Sequence, residues 1–335
     1  MNLWIWIPNF RALIFMSIVA IALFLISIPI AAYVVYVKLL KRTSRAKWGR
    51  ECSDEDPVQK KMFDEGIQLM EAYRDKRVEL HMLNEGMNLF AEYLDLGYDK
   101  AVIVVPGRSE SLRYGYYFAK AYVESGYNVL VIDQRAHGDS DGKYNTIGND
   151  EHRDLMAWAR LIHERFGVNS IVLHGICIGS SCSLFALTSK DCPEYIDALV
   201  AEGMYPSFYE NFKNHMIDYK KPTFVFMTFI NMWMKICTGY SMKKGPKDTI
   251  GAYKKPLLMI HSRADKYSLP TSAVTLYEKA GSEHKRICWF EKGKHSMLRT
   301  EDAEKYDGAI KDFLKEIEKE AEPFDSRAME IAGRD

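Results

Sequence analysis

Val172-Leu173-His174-Gly175-Ile176-Cys177-Ile178-Gly179-Ser180-Ser181 is the stretch from which the rest of the chain is read. The apolar run from Ser170 to Leu173 predicts a buried strand. Apolar and small residues from Ile178 through Leu187 predict a helix that follows at once. Gly175 and Gly179 bracket Cys177. Strand, tight Gly-x-nucleophile-x-Gly turn and helix is an arrangement that holds a nucleophile on a strained backbone, where only small residues fit beside it. The helix aims its N-terminus at the turn, which favours negative charge there. A cysteine in this setting also suits a plain packed core residue, so the turn needs support from elsewhere.

Two later segments supply it. Pro256-Leu257-Leu258-Met259-Ile260-His261-Ser262-Arg263-Ala264-Asp265 predicts a strand ending in a loop aspartate. Ile287-Cys288-Trp289-Phe290-Glu291-Lys292-Gly293-Lys294-His295-Ser296 predicts a strand ending in a loop histidine. Nucleophile, acid and histidine in this chain order occur in one fold among the triad enzymes. Val102-Ile103-Val104-Val105-Pro106-Gly107-Arg108 adds a strand and glycine loop, and Val129 to Ser140 contains Asp133-Gln134-Arg135-Ala136-His137-Gly138-Asp139-Ser140.

On these motifs the chain resembles the α/β-hydrolase superfamily, over roughly residues 76–320. Its likeness is to the membrane-anchored, peptidase-S33-like, alpha/beta-hydrolase-domain-containing kind, with Cys in place of the nucleophilic Ser. The resemblance implies a mostly parallel central sheet with helices on both faces and an inserted lid at about 203–250. It implies a Cys177–His295–Asp265 triad, with an oxyanion hole from the backbone N–H groups of Arg108 and Ile178. His-Gly is frequent in the family where this chain has Pro106-Gly107; the donor needed comes from Arg108, so the departure is tolerable. The Arg108 side chain is read chiefly as a solvated loop arginine. Glu202, at the end of the preceding strand, is a rival acid to Asp265. His137 is expected to brace its loop.

Strands and helices alternate after a hairpin signal at Asn84-Glu85-Gly86, as a parallel sheet covered on both faces requires. Active sites in such sheets lie beyond the carboxyl ends of the strands, where Gly107, Cys177, Asp265 and His295 all fall.

The chain has 335 residues, enough for a sizeable core, and 45 basic against 45 acidic residues, so no global field points to nucleic acid. Its six cysteines lack paired, metal-like spacing, and neither a metal nor a cofactor is expected. Residues 13–37 are apolar and uncharged, long enough to span a bilayer. Lys38, Lys41, Arg42, Arg45, Lys47 and Arg50 follow this run, against Arg11 before it, which puts the catalytic domain on the cytoplasmic side. The expected organisation is a short tail (1–12), a single-pass anchor (13–37), a juxtamembrane segment with a connecting helix (38–75), the hydrolase domain (76–321) and a C-terminal tail (322–335). The aromatic and Met-rich lid, with Phe226, Phe229 and Trp233, is read as a helix packed on the core or as the lining of an acyl pocket or a bilayer contact.

Cysteine shifts the expected chemistry toward esters, thioesters or acyl transfer and away from peptide bonds, because a thiolate leaves more easily than an amine. The expected substrate is a small or lipid-like acyl compound, and the oligomeric state is left open. The alternative is a hydrolase-fold binding protein in which Cys177 is inert.

Overall fold

The computed structural model describes residues 7–43, 56–108 and 110–321. A long helix, α1 (Ile7–Leu40), leads the chain. Helix α2 (Pro57–Ala72) starts where its sequence dictates. The Asp56 side chain accepts from the N–H groups of Val58 and Gln59, and Pro57 takes the first helical position, where no N–H is needed. A hairpin follows, β1 (Arg77–Asn84) and β2 (Met87–Leu94), turning through Glu85 and Gly86, both at positive φ. Next come β3 (Lys100–Val105), α3 (Leu112–Tyr116), α4 (Lys120–Val123), β4 (Asn128–Ile132) and α5 (Glu151–Phe166). Then come β5 (Ser170–Ile176), α6 (Ile178–Leu187) and β6 (Ile196–Glu202). The inserted segment carries α7 (Phe208–Asp218), α8 (Phe224–Thr238) and α9 (Pro246–Thr249). The chain returns through β7 (Leu257–Ser262), α10 (Pro270–Lys279), β8 (Lys285–Phe290), α11 (Leu298–Glu301) and α12 (Ala303–Ala321).

The eight strands form one sheet in the order β1-β2-β4-β3-β5-β6-β7-β8. The hairpin joins antiparallel and every later pairing is parallel. Both faces are covered, and β3 shows how. Ala101, Ile103 and Val105 enter the core beneath α5 and α6, while Val102 and Val104 enter the opposite one with α3, α4 and α12. Alternation on a pleated strand produces this split, and burial on both faces explains the unbroken apolar run in the sequence.

One continuous helix over 112–125 is the sequence expectation; the structure breaks it into α3 and α4. Tyr117, Phe118 and Ala119 bond three residues back, in tightened turns. Every residue from Tyr114 to Ala119 is buried, more than one face of a regular helix can cover.

Helix α1 is not a free tether. Ala32, Tyr36, Leu39 and Leu40 of α1 sit in a third apolar cluster with Phe208, Met227, Ile230, Met234 and Ile178. Past its end, Asn145 N–H donates to Leu40 O at 2.8 Å, and the Arg42 guanidinium donates to the carbonyls of Gly138 and Ser140, both at 2.6 Å. The same loop is held by a buried two-armed pair from Arg135 to Asp154, 2.6 and 2.7 Å. Arg45, Lys47 and Arg50 lie outside the described residues.

Candidate active site

Strand β5 ends at Ile176, and Cys177 stands alone between it and α6 with φ 55° and ψ −110°. A non-glycine residue in that conformation costs on the order of 1–3 kcal/mol and persists only where its surroundings enforce it. Here they do. Cys177 N–H donates to Glu202 O at 2.9 Å, and Ser180 Oγ donates to Gly175 O (2.7 Å) and Glu202 O (3.0 Å). The flanking glycines are a packing requirement. A Cβ on Gly175 would collide with the Gly179 carbonyl, and one on Gly179 with the Val105 carbonyl oxygen.

The loop after β7 presents Asp265 and the loop after β8 presents His295. His295 Nδ1 and Asp265 Oδ2 are 2.7 Å apart. The other Asp265 oxygen accepts from the N–H groups of Tyr267 (2.7 Å) and Ser268 (2.9 Å). Burial would raise the Asp265 pKa; the His295 charge and the two N–H donors outweigh it and hold the carboxyl below its usual range. Burial would lower His295; the charges of Asp265 and Cys177 outweigh it and hold the imidazole well above its usual value. The remaining ring nitrogen, Nε2, interacts with the Cys177 thiol but has no fully formed hydrogen bond.

Glu202 is occupied elsewhere. Its carboxylate accepts from Leu298 N–H at 3.1 Å and from Tyr306 Oη at 2.7 Å, which in turn shares a 3.1 Å hydrogen bond with His174 Nε2. It supports the loop that carries His295 from below. Burial raises its pKa to about 7 and pushes His174 down to about 3. His137 braces its loop through a 3.0 Å contact between Nδ1 and Arg135 O, and burial pushes it down to about 4.

Cys177 and His295 open into a cavity of about 190 Å³. Gly107, Arg108 and Glu110 also line it, the Glu110 carboxylate accepting from Gly107 N–H at 2.8 Å. The first residue of α6 is Ile178, so its N–H follows directly on Cys177. Hollows of about 490 and 420 Å³ beside α5 and β8 are larger but open, and neither contains a histidine.

The rest of the lining comes from residues other than the three lid candidates. Phe226, Phe229 and Trp233 do not line the cavity. They pack against the cluster shared by α1 and the inserted segment, and Trp233 donates its indole N–H to Pro29 O of α1 at 2.8 Å. The roof is α7, through Phe208, Asn211, Phe212 and His215, and one wall is Leu39 from the end of α1. Tyr267 and Met297 close the remaining sides. The sequence carried a faint signal for α7, its Phe208/Phe212/His215 spacing on one helix face, and none for Leu39, which lies far away along the chain.

Residues 100–234 match the family described as alpha/beta hydrolase fold. The chain is 26 % identical over 216 residues to an uncharacterized protein, YqkD, of Bacillus subtilis strain 168, covering 64 % of this chain and 70 % of that protein. Among solved structures, the Pyrococcus furiosus esterase Pf2001 superposes with a TM-score of 0.61 at 22 % identity, over 74 % of this chain and 93 % of that one. Mouse alpha/beta hydrolase domain-containing protein 10 superposes with a TM-score of 0.52 at 16 % identity, over 72 % and 99 %. The chain has the alpha/beta hydrolase fold.

Proposed function

We propose that the protein is a membrane-anchored hydrolase of carboxylic esters or thioesters, working through Cys177, His295 and Asp265. The observation that carries this reading is that Cys177, on a strained positive-φ turn, faces His295 in one cavity while Asp265, behind His295, holds its other ring nitrogen at 2.7 Å. An inert core cysteine needs none of this.

In the proposed cycle the Cys177 thiolate attacks the acyl carbon, with His295 holding the proton as imidazolium. The carbonyl oxygen takes up negative charge facing the N–H groups of Ile178 and Arg108. The C–O or C–S bond breaks, and His295 gives its proton to the leaving alkoxide or thiolate. Water then attacks the acyl-enzyme, His295 takes its proton, and the acid and free Cys177 are released. Asp265 holds the histidine tautomer and stabilises the imidazolium.

Among the described residues, one helix, Arg11–Leu40, is long and apolar enough to cross a membrane by length and composition. Residues 11–31 are exposed apart from half-buried Ile28 and Pro29. They span about 31 Å at about 1.5 Å per residue, the thickness of a hydrocarbon core. Burial against the domain starts at Ala32. An anchor reading accounts for both facts, with the domain on the cytoplasmic side. The apolar cavity walls, Leu39, Phe208, Phe212 and Met297, suit an acyl chain.

The test is turnover of graded acyl thioesters and aryl esters by the full-length protein in vesicles, compared with Cys177→Ala and Cys177→Ser. Removing the nucleophile lowers kcat by about 10³-fold or more on this reading. Three equally silent proteins across the panel would sink it in favour of a hydrolase-fold binding protein.

A further inference from the structure

Helix α8 is apolar on nearly all sides, yet only its inner face is covered. Phe224 at its start is 91 % exposed and Val225 is 44 % exposed. The end of α7, just before it in sequence, adds Tyr219 at 58 % and Ile217 at 55 %. These four residues form the tip of the segment that roofs the cavity.

Where the tip points follows from contacts along the two long helices. Trp233 of α8 bonds to Pro29 of α1 and packs on Tyr33, with ring centroids 4.8 Å apart. At the other end, Leu40 of α1 binds Asn145, and Tyr240, just past α8, binds Asp150 at 2.6 Å. Both helices therefore finish at the loop 144–150, and they run in the same direction. Trp233 and Tyr33 lie where the exposed stretch of α1 ends, the interfacial level that Trp and Tyr prefer. Phe224 precedes Trp233 by nine residues, about 13 Å of helix at about 1.5 Å per residue. It thus projects from the interface toward the side on which α1 residues 21–27 stand exposed.

We propose that the α7–α8 tip, Ile217 to Val225, dips into the same bilayer leaflet that α1 enters. The cavity roof is then a second membrane contact. This rests on the anchor reading above. Continuity with the anchor chooses lipid over another protein as the occupant, since any chain seated here would have to share the leaflet with α1. Lys220 and Lys221, both exposed, limit the depth, because their ammonium groups must reach the headgroups. Asp218, the acid at the tip, is paired with Lys266 at 3.0 Å. An apolar edge with flanking lysines fits a segment lying about 5–10 Å into the headgroup–acyl boundary. Because α7 runs from the cavity to this tip, a lipid acyl chain has a short path to Cys177.

The experiment places a reporter tryptophan at the tip by Phe224→Trp in the full-length protein. The protein is reconstituted into phosphatidylcholine–phosphatidylserine vesicles with and without brominated acyl chains. Phe24→Trp in α1 is the lipid-facing reference and Leu83→Trp, at a 72 % exposed hairpin position, the water-facing one. Since the position is open, the substitution leaves the core untouched. After subtraction of the parent signal, the tip tryptophan is expected to be blue-shifted and quenched, most strongly by bromines near the headgroup. Red emission without quenching, matching Leu83→Trp, overturns the proposal while leaving the anchor intact. Blue emission without quenching overturns it too and assigns the tip to a protein contact. Failure of the parent protein to float with the vesicles overturns the anchor reading itself, and the proposal with it.

Discussion

The two sides of the cavity are built differently. Its floor is a set of strand ends and tight loops, where Cys177, Asp265 and His295 are fixed by backbone hydrogen bonds, glycine contacts and a buried ion pair. Its roof and one wall are helices, α7 and the end of α1, which meet mainly through apolar side chains. A floor of this kind tolerates almost no displacement, because hydrogen bonds and positive-φ residues have narrow geometric wells. A roof of this kind can be repacked, because apolar contacts are non-directional. Under the proposed function, the contrast would give chemistry to the floor and selectivity to the roof.

The sharpest attack on the floor is Asp265→Asn. It keeps the shape but removes the charge that orients and supports His295, and kcat is expected to fall by about 10²–10⁴-fold, with much smaller change in KM. Single-turnover kinetics with a thioester check this. A loss below about threefold would mean that Asp265 is structural and that the floor carries no triad.

The roof is broken more gently by Leu39→Trp. It fills the wall with a larger ring, and kcat/KM for long acyl chains is expected to drop about tenfold, roughly 1.4 kcal/mol, relative to acetyl substrates. Equal losses for every chain length would place Leu39 outside the acyl path and dissolve the division between floor and roof.

The smallest effect tests how the floor is supported. Burial raises Glu202 to about 7, against about 4.3 in an unfolded chain. Between these values the folded protein holds a proton that the unfolded chain has lost. The stability from this group is therefore complete below about pH 4.3 and is lost as pH rises through about 7, at no more than about 1.4 kcal/mol per pH unit. Glu202→Gln should flatten that decline, as read by urea unfolding at pH 5 and pH 7.5. Identical slopes would show that Glu202 ionises without cost in the fold.

Most of the floor was legible in the sequence, for a local reason. Gly175, Gly179 and Cys177 lie within five residues, and the elbow they write is a property of that backbone alone. Asp265 and His295 each follow a strand that announces itself by an apolar run. The choice between Asp265 and Glu202 was harder. Glu202 ends a strand and Asp265 follows one closely, and only the tertiary contacts, Tyr306 and Leu298 on Glu202 and His295 on Asp265, show which carboxylate faces the histidine. The break between α3 and α4 was illegible because periodicity assumes one buried face, whereas Tyr114 to Ala119 are buried all round.

The roof was left open between two readings. Phe226, Phe229 and Trp233 are the conspicuous aromatics of the inserted segment, which the sequence allowed either to pack on the core or to line a pocket or touch a bilayer, and in the structure they pack. Composition cannot say which apolar surface meets a pocket and which meets another helix. By itself, the sequence determined the alternating strand–helix order, the strained cysteine turn and an apolar segment long enough to cross a bilayer, since each is written in consecutive residues. The tertiary structure alone decided that α1 ends as a wall of the cavity and that α7, not α8, roofs it. Those contacts join residues from about thirty to well over a hundred positions apart, and non-directional apolar packing leaves no local pattern from which to read them.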